Sequence, residues 1–573
     1  MAVYVEGVVG ILVFYVAVLG VGIWAGTKQK NSGEEEVMLA GRSLGLTVGV
    51  LTMIATWVGG GYINGTAEAL FSSGLLWCQV PIGYSLSYLF GMLLFVKQMR
   101  RAEYVTMLDP FQRKYGNRVG GLMFVPAVCG DLFWVGAIFN ALGSSLVVIL
   151  DLDATSSVIV SAIFAASYTM VGGLYSVVYT DVLQLGCIVF GLILSAPFAY
   201  NHLAVDHEAV EEVDWIGTIE RKDAGEWIDS MLLLIFGGIP CQVYFQRILS
   251  MRSVRQAQVL SVLAMFGCVA MALPPALFGV VAKSTNWTQV EDFGREVTLA
   301  DKEIILPLTL RYLTPKWVSF FGLGAISAAV MASADSSILS SSSMFSRNIY
   351  KLAIRPQASE REVLWVLRIS VVFVAAVSSC IALTVGSIYY LSVLCSDLVY
   401  VILFPQLLLV IHWEGANTYG SLFSFWFGIV LRLLGGEPGL GIPAAIKYPW
   451  YDEEAQVQKF PFRTLTMLSA LAAHLLCSWG TRQLFQRRLL PDSWDFLQVF
   501  SAPEKPPVPV GPQDLSLPAP PHGATEKLCA SAAEGDRLPL AEDGGARGPD
   551  AGLVNPAGPG AHDEDEDGEV ARL

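Results

Sequence analysis

Apolar stretches of about 20 residues, the length that crosses roughly 30 Å of hydrocarbon, recur along this chain up to about residue 485. A chain with 54% hydrophobic and only 15% charged residues belongs to the membrane class, which sets aside the soluble folds. Thirteen such stretches are expected to span, over residues 6–25, 45–69, 75–96, 120–149, 155–172, 176–200, 229–248, 258–282, 317–345, 364–384, 388–411, 418–434 and 463–484. The fold class expected is therefore an all-α membrane protein. The first stretch resembles a secretory signal in length. Residues 1–7 carry no basic side chain, however, and no small-residue cleavage site precedes Lys28, so it reads as a retained span.

Eight of the nine cysteines lie inside these spans and the ninth, Cys529, follows them, which leaves no disulfide framework or zinc spacing. The formal charge of −14 is mostly distal, because residues 486–573 hold 16 acidic and 7 basic residues. That segment, rich in Pro, Ala and Gly and ending in Asp563-Glu564-Asp565-Glu566-Asp567, cannot bury enough apolar surface to fold. It reads as a disordered cytoplasmic tail, either a spacer or a binding segment for trafficking partners. The transmembrane domain is then 1–485.

Basic residues cluster in alternate loops: Lys28, Lys30 and Arg42; Lys97, Arg100, Arg101, Arg113, Lys114 and Arg118; Arg247, Arg252 and Arg255; and Arg347, Lys351, Arg355 and Arg361. By the positive-inside rule these loops are cytoplasmic, so the N-terminus is outside and the C-terminus inside. The sequon Asn286-Trp287-Thr288 then falls in an extracellular loop, where Asn286 is a glycosylation candidate; the sequon at Asn64 falls inside a span.

Helix breakers in mid-membrane must line a cavity or be buried in protein. Span 2 carries Gly59-Gly60-Gly61 and span 7 carries Gly237-Gly238-Ile239-Pro240. Breaks five spans apart predict an inverted repeat, about 45–200 and 229–411, with substrate and ion held between discontinuous helices near the midplane. Glycine in transmembrane helices also serves close packing, but the paired placement points to a transporter.

Intramembrane carboxylates are costly and mark functional positions: Glu68, Asp131, Asp181, Asp335 and Asp397. Asp335 sits in Ser333-Ala334-Asp335-Ser336-Ser337, a run of oxygen-bearing side chains suited to Na⁺, although serines also bond back to their own helix. Trp57 and Tyr62 flank the first break, with Tyr84 on span 3 and Trp134 on span 4. Ring faces hold a quaternary ammonium, which has no donor at nitrogen. Trp134 also stands three residues beyond Asp131 on one helical face, although aromatic residues form interfacial belts as well.

The run 172–184, GGLYSVVYTDVLQ, together with 55–69, ATWVGGGYINGTAEA, and 333–337, SADSS, resembles the sodium/solute symporter family, and within it the choline-carrying members, over residues 1 to about 485. The resemblance implies a LeuT-type five-plus-five core with broken helices at spans 2 and 7, and uptake of choline or a related quaternary ammonium that depends on Na⁺ and Cl⁻. It implies a sodium site at Ala55, Val58, Ala329 and Ser333, and ion coupling through Asp335, Ser336, Ser337 and Asp181. The family carries a second hydroxyl where this chain has Ala332, so a water takes that place. The substrate cage implied is Trp57, Tyr84, Trp134 and position 241, where Cys241 stands in place of a fourth aromatic. A plasma-membrane protein that supplies choline for acetylcholine synthesis, in presynaptic and vesicular membranes, is the corresponding physiological expectation. Other solutes, such as a betaine, a carboxylate or a vitamin, and a cation-gated sensor that does not transport are the alternatives. An anionic substrate would call for a basic residue near the first break, and 56–69 contains none. No nucleophile motif, metal cluster or cofactor signature supports an enzyme, and no nucleic acid is among the partners called for. A second copy of the chain, in a homo-oligomer, is also among the expected partners.

Overall fold

The computed structural model describes residues 4–26, 34–150, 152–170, 174–208 and 214–500. Its helices are α1 Val5–Gly26, α2 Leu46–Trp57, α3 Gly60–Ser73, α4 Val80–Gly91, α5 Phe124–Leu150, α6 Ala154–Thr169, α7 Leu174–Tyr200 and α8 Ala224–Gly237. They continue as α9 Gln242–Ser250, α10 Val254–Lys283, α11 Lys316–Met344, α12 Glu360–Thr384, α13 Ile388–Leu394, α14 Phe404–His412, α15 Thr418–Leu434 and α16 Phe462–Gln486. Shorter helical turns join several of them, and a two-stranded ribbon, β1 Tyr451–Asp452 with β2 Val457–Gln458, lies between α15 and α16.

Among the described residues, nine helices are long and apolar enough to cross a membrane, or ten when the bent pair α2–α3 counts as one span. This is a multi-pass membrane protein. The other three expected stretches are helical too: α6 and α15, with 16 and 17 residues, and the 25-residue α16. Helices form throughout because a chain surrounded by hydrocarbon must pair its own backbone groups. α11 is the most enclosed of them, with 83% of its apolar window buried, whereas α1 is buried over only 28% and turns large side chains such as Leu12 and Val16 outward.

Two interruptions shape the interior. α2 ends at Trp57 and α3 restarts after Gly59, whose backbone is extended (φ −99°, ψ −168°), bending the pair by 50°. Glycine is required there by close approach: a Cβ on Gly59 would fall 1.4 Å from Ser333 Oγ on α11. The second interruption separates α8 from α9, where Pro240 has no N–H to give and Cys241 is extended (φ −114°, ψ 128°).

Arg247, which the sequence places among the basic loop residues, lies within α9 with its side chain fully buried. Local hydropathy cannot tell a loop arginine from one neutralised by a distant carboxylate. Lys28 and Lys30, the Gly172-Gly173 start of the 172–184 run, and the tail from 501 onward lie outside the described residues. Residues 487–500, expected to begin the tail, pack back on the domain: Asp495 accepts from Tyr419 Oη at 2.8 Å and Phe500 stacks on Phe485 at 5.1 Å.

Candidate substrate and ion site

Trp57 is the last residue of α2, so the first break sets where its indole projects. Tyr84 on α4 and Trp134 on α5 meet it there. Ring centroids are 5.6 Å apart for Trp57 and Tyr84, 6.2 Å for Trp57 and Trp134, and 6.0 Å for Tyr84 and Trp134. Trp57 and Tyr84 are perpendicular and Tyr84 and Trp134 nearly so, at 90° and 81°. The Tyr84 hydroxyl donates to Ser392 O at 2.6 Å and lies 2.8 Å from Ser396 Oγ, which locks the ring and leaves its face to serve as a wall. Tyr62, the other aromatic flanking the break, turns away and donates to Cys268 O on α10 at 2.8 Å.

Trp57, Tyr84, Asp131, Trp134, Cys241 and Cys395 line one cavity. The breaks shape it from both sides, since Gly237, Gly238 and Pro240 also line it. Asp131 and Trp134 share a face of α5 and both reach the cavity. All four residues read as a cage are therefore brought together, with Cys241 forming a wall that is not aromatic.

Behind the first break, Ala55, Val58, Ala329 and Ser333 are all fully buried. Ser333 Oγ donates to Thr56 O at 3.0 Å, so α11 touches the break directly between the positions of Ala55 and Val58. The residues read as coupling groups diverge, because neighbours on a helix point about 100° apart. Ser336 and Asp181 join one cluster: Thr52 Oγ1 donates to Asp181 Oδ2 at 2.5 Å, and Ser336 Oγ stands 3.2 Å from Thr56 Oγ1. Arg247 Nη2 enters this cluster, 2.9 Å from Thr56 Oγ1, 2.5 Å from Ser336 Oγ and 3.4 Å from Asp181 Oδ2. Asp335 faces α6 instead, accepting from Thr169 Oγ1 at 2.9 Å. Ser337 lies over the next turn, its carbonyl accepting from Ser341 at 3.0 Å.

The remaining membrane carboxylates are paired. Glu68 accepts from Ser387 Oγ at 2.6 Å and Tyr389 N at 3.0 Å and lies 3.6 Å from Lys302, while Asp397 meets Arg432 at 2.6 Å and Arg463 at 3.0 Å. Arg247, Lys302, Arg432 and Arg463 are the partners that sequence reasoning missed; the only signal for them was the cost of leaving each carboxylate alone. Asn286 is exposed, with Oδ1 accepting from Thr288 at 2.6 Å, and Asn64 is buried.

The model of the sodium:solute symporter family matches residues 37–428. The chain belongs to this family. Family membership makes it a sodium-coupled transporter rather than an enzyme. It is 51% identical over 519 residues to the human high affinity choline transporter 1, a match covering 88% of this chain and 89% of that one. It is 51% identical over 505 residues to the Drosophila melanogaster high-affinity choline transporter 1, covering 87% and 82%, and 50% identical over 508 residues to that of Caenorhabditis elegans, covering 86% and 88%. Among solved structures, a Na⁺-coupled sialic acid symporter in a substrate-bound outward-open state superposes with a TM-score of 0.68 at 15% identity, covering 83% of this chain and 97% of that one. The fold is thus that of sodium symporters. Within it, neutral ring faces and a carboxylate converge where two helices are interrupted, an arrangement suited to an organic cation.

Proposed function

We propose that this protein imports choline across the plasma membrane, driven by the inward Na⁺ gradient, through alternating access of a LeuT-type five-plus-five core. The observation that carries this reading is the cluster of Trp57, Tyr84 and Trp134, whose centroids lie within 6.2 Å of one another beside the cavity. A cation beside such a cluster comes within about 6 Å of several ring faces, whose quadrupoles attract it. The names of the relatives point the same way.

In this reading thirteen spans carry the chain, N-terminus outside, with repeats over about 45–200 and 229–411. Na⁺ binds between the first break and α11, held by the carbonyls of Ala55, Val58 and Ala329 and the hydroxyl of Ser333. Asp181, Ser336, Ser337 and Asp335 transmit occupancy to the packing of α7 and α11. Each charge moved inward gains about 2.3 kcal/mol per 100 mV, which favours import. Dependence on Cl⁻, glycosylation at Asn286 and supply of choline for acetylcholine synthesis belong to the same reading. A second reading rests on Cys241, which leaves one wall of the cage without a ring: the preferred substrate is then a bulkier ammonium.

Uptake of radiolabelled choline into cells expressing the chain, with Na⁺ replaced by an impermeant cation as control, is the test. Sodium-dependent accumulation is expected. Surface protein without accumulation would overturn the choline assignment.

A further inference from the structure

Burying a carboxylate without a cation is expensive, and breaking a buried pair leaves that cost exposed. Among the membrane carboxylates, Asp181 has Arg247, Asp397 has Arg432 and Glu68 has Lys302. Asp131 is different. It is 7% exposed, lines the cavity between the helix breaks, and accepts from Ser341 Oγ at 2.5 Å, yet no lysine or arginine pairs with it among the described residues. No other acidic or basic residue is among those lining this cavity. Asp335, the other carboxylate without a basic partner, does not reach it.

From these observations we infer that Asp131 sets the charge specificity of the cavity, accepting cationic ammoniums with an uncharged tail and rejecting zwitterions. Neutral rings alone do not supply this discrimination, because a trimethylammonium group presents the same methyls to Trp57, Tyr84 and Trp134 whether its tail ends in a hydroxyl or a carboxylate. Asp131 is three residues before Trp134 on α5, which puts their Cβ atoms about 5–6 Å apart. A tail two carbons long, extending from an ammonium on the Trp134 face, reaches Asp131. A hydroxyl there donates to the carboxylate, an ester is tolerated, and a second carboxylate meets a like charge in a site of low dielectric. Discrimination then comes from a repulsive element built against the wrong ligand.

The inference rests on an organic-cation site but not on transport, and two measurements separate the two. Purified full-length protein in Na⁺ is titrated with glycine betaine and with its methyl ester, which share the ammonium and differ in tail charge, using thermal stabilisation as readout. The ester is expected to bind at least about tenfold more tightly, the scale of a single unscreened like-charge contact. In Asp131→Asn the two affinities should approach within about threefold, while Asp131→Glu keeps the order. Equal affinities in the natural protein, no binding of either compound, or an unchanged ratio in Asp131→Asn would each overturn the inference. Should Asp131→Asn fail to fold, the ratio in the natural protein decides. Failure of choline uptake by cells would count against the proposed function and leave the binding ratio as the measure of Asp131.

Discussion

Gly59 and Ser333 meet where α2 stops: a Cβ on Gly59 would lie 1.4 Å from Ser333 Oγ and 2.3 Å from its Cβ. Neither atom can move far, because Ser333 is fully buried on α11 and its hydroxyl is held by Thr56 O. Gly59→Ala is therefore expected to force the first break away from α11, at a cost of about 1–3 kcal/mol or more in overpacking. Sodium-dependent uptake should fall at least about tenfold, since 1.4 kcal/mol is a factor of ten. Uptake and surface biotinylation measured together check this; normal sodium dependence would mean that the contact is dispensable.

Trp57→Ala removes the ring that faces both Tyr84 and Trp134. Loss of a desolvated ring face is worth about 2 kcal/mol, or roughly 30-fold in affinity for a quaternary ammonium. Saturation uptake should show the raised KM with surface expression retained.

Arg247 and Asp181 form a pair in which both side chains are fully buried. Removing either partner strands the other charge, so Arg247→Met and Asp181→Asn are each expected to destabilise by about 3–5 kcal/mol. The double variant should recover part of that loss, because the uncompensated charge is gone. Thermal unfolding of the four proteins as a double-mutant cycle measures the coupling; strictly additive effects would show that the two residues do not interact.

Cys241→Trp would place a ring on the wall that lacks one. Choline affinity is expected to tighten by up to roughly 30-fold. Competition binding is the measurement, and unchanged affinity would put position 241 outside the cage.

Much of this protein was legible before any coordinates. The apolar stretches matched helices because in hydrocarbon the backbone has no partner but itself, so hydropathy alone determines where α1, α10 and α12 lie. The Gly run at 59–61 coincides with the 50° bend between α2 and α3 for a similarly local reason, since Gly59 tolerates close approach to Ser333. Trp57, Tyr84 and Trp134 could be suspected from the affinity of rings for ammonium groups. That they meet around one cavity depended on α2, α4 and α5 packing together.

What lay beyond the sequence was the pairing of charges. Asp181, Asp335 and Asp131 look alike as isolated acids in apolar runs, yet one meets Arg247, one meets Thr169 and one faces the cavity. Arg247 looked like a loop residue because a basic side chain near a helix end usually reaches water, and its carboxylate partner is 66 residues away. By itself the sequence determined the membrane class and the apolar helices, which follow from backbone and hydropathy within a turn or two. Only the tertiary structure decided which buried charge is neutralised from within and which is left facing a ligand, because that depends on side chains brought together from helices far apart in the chain.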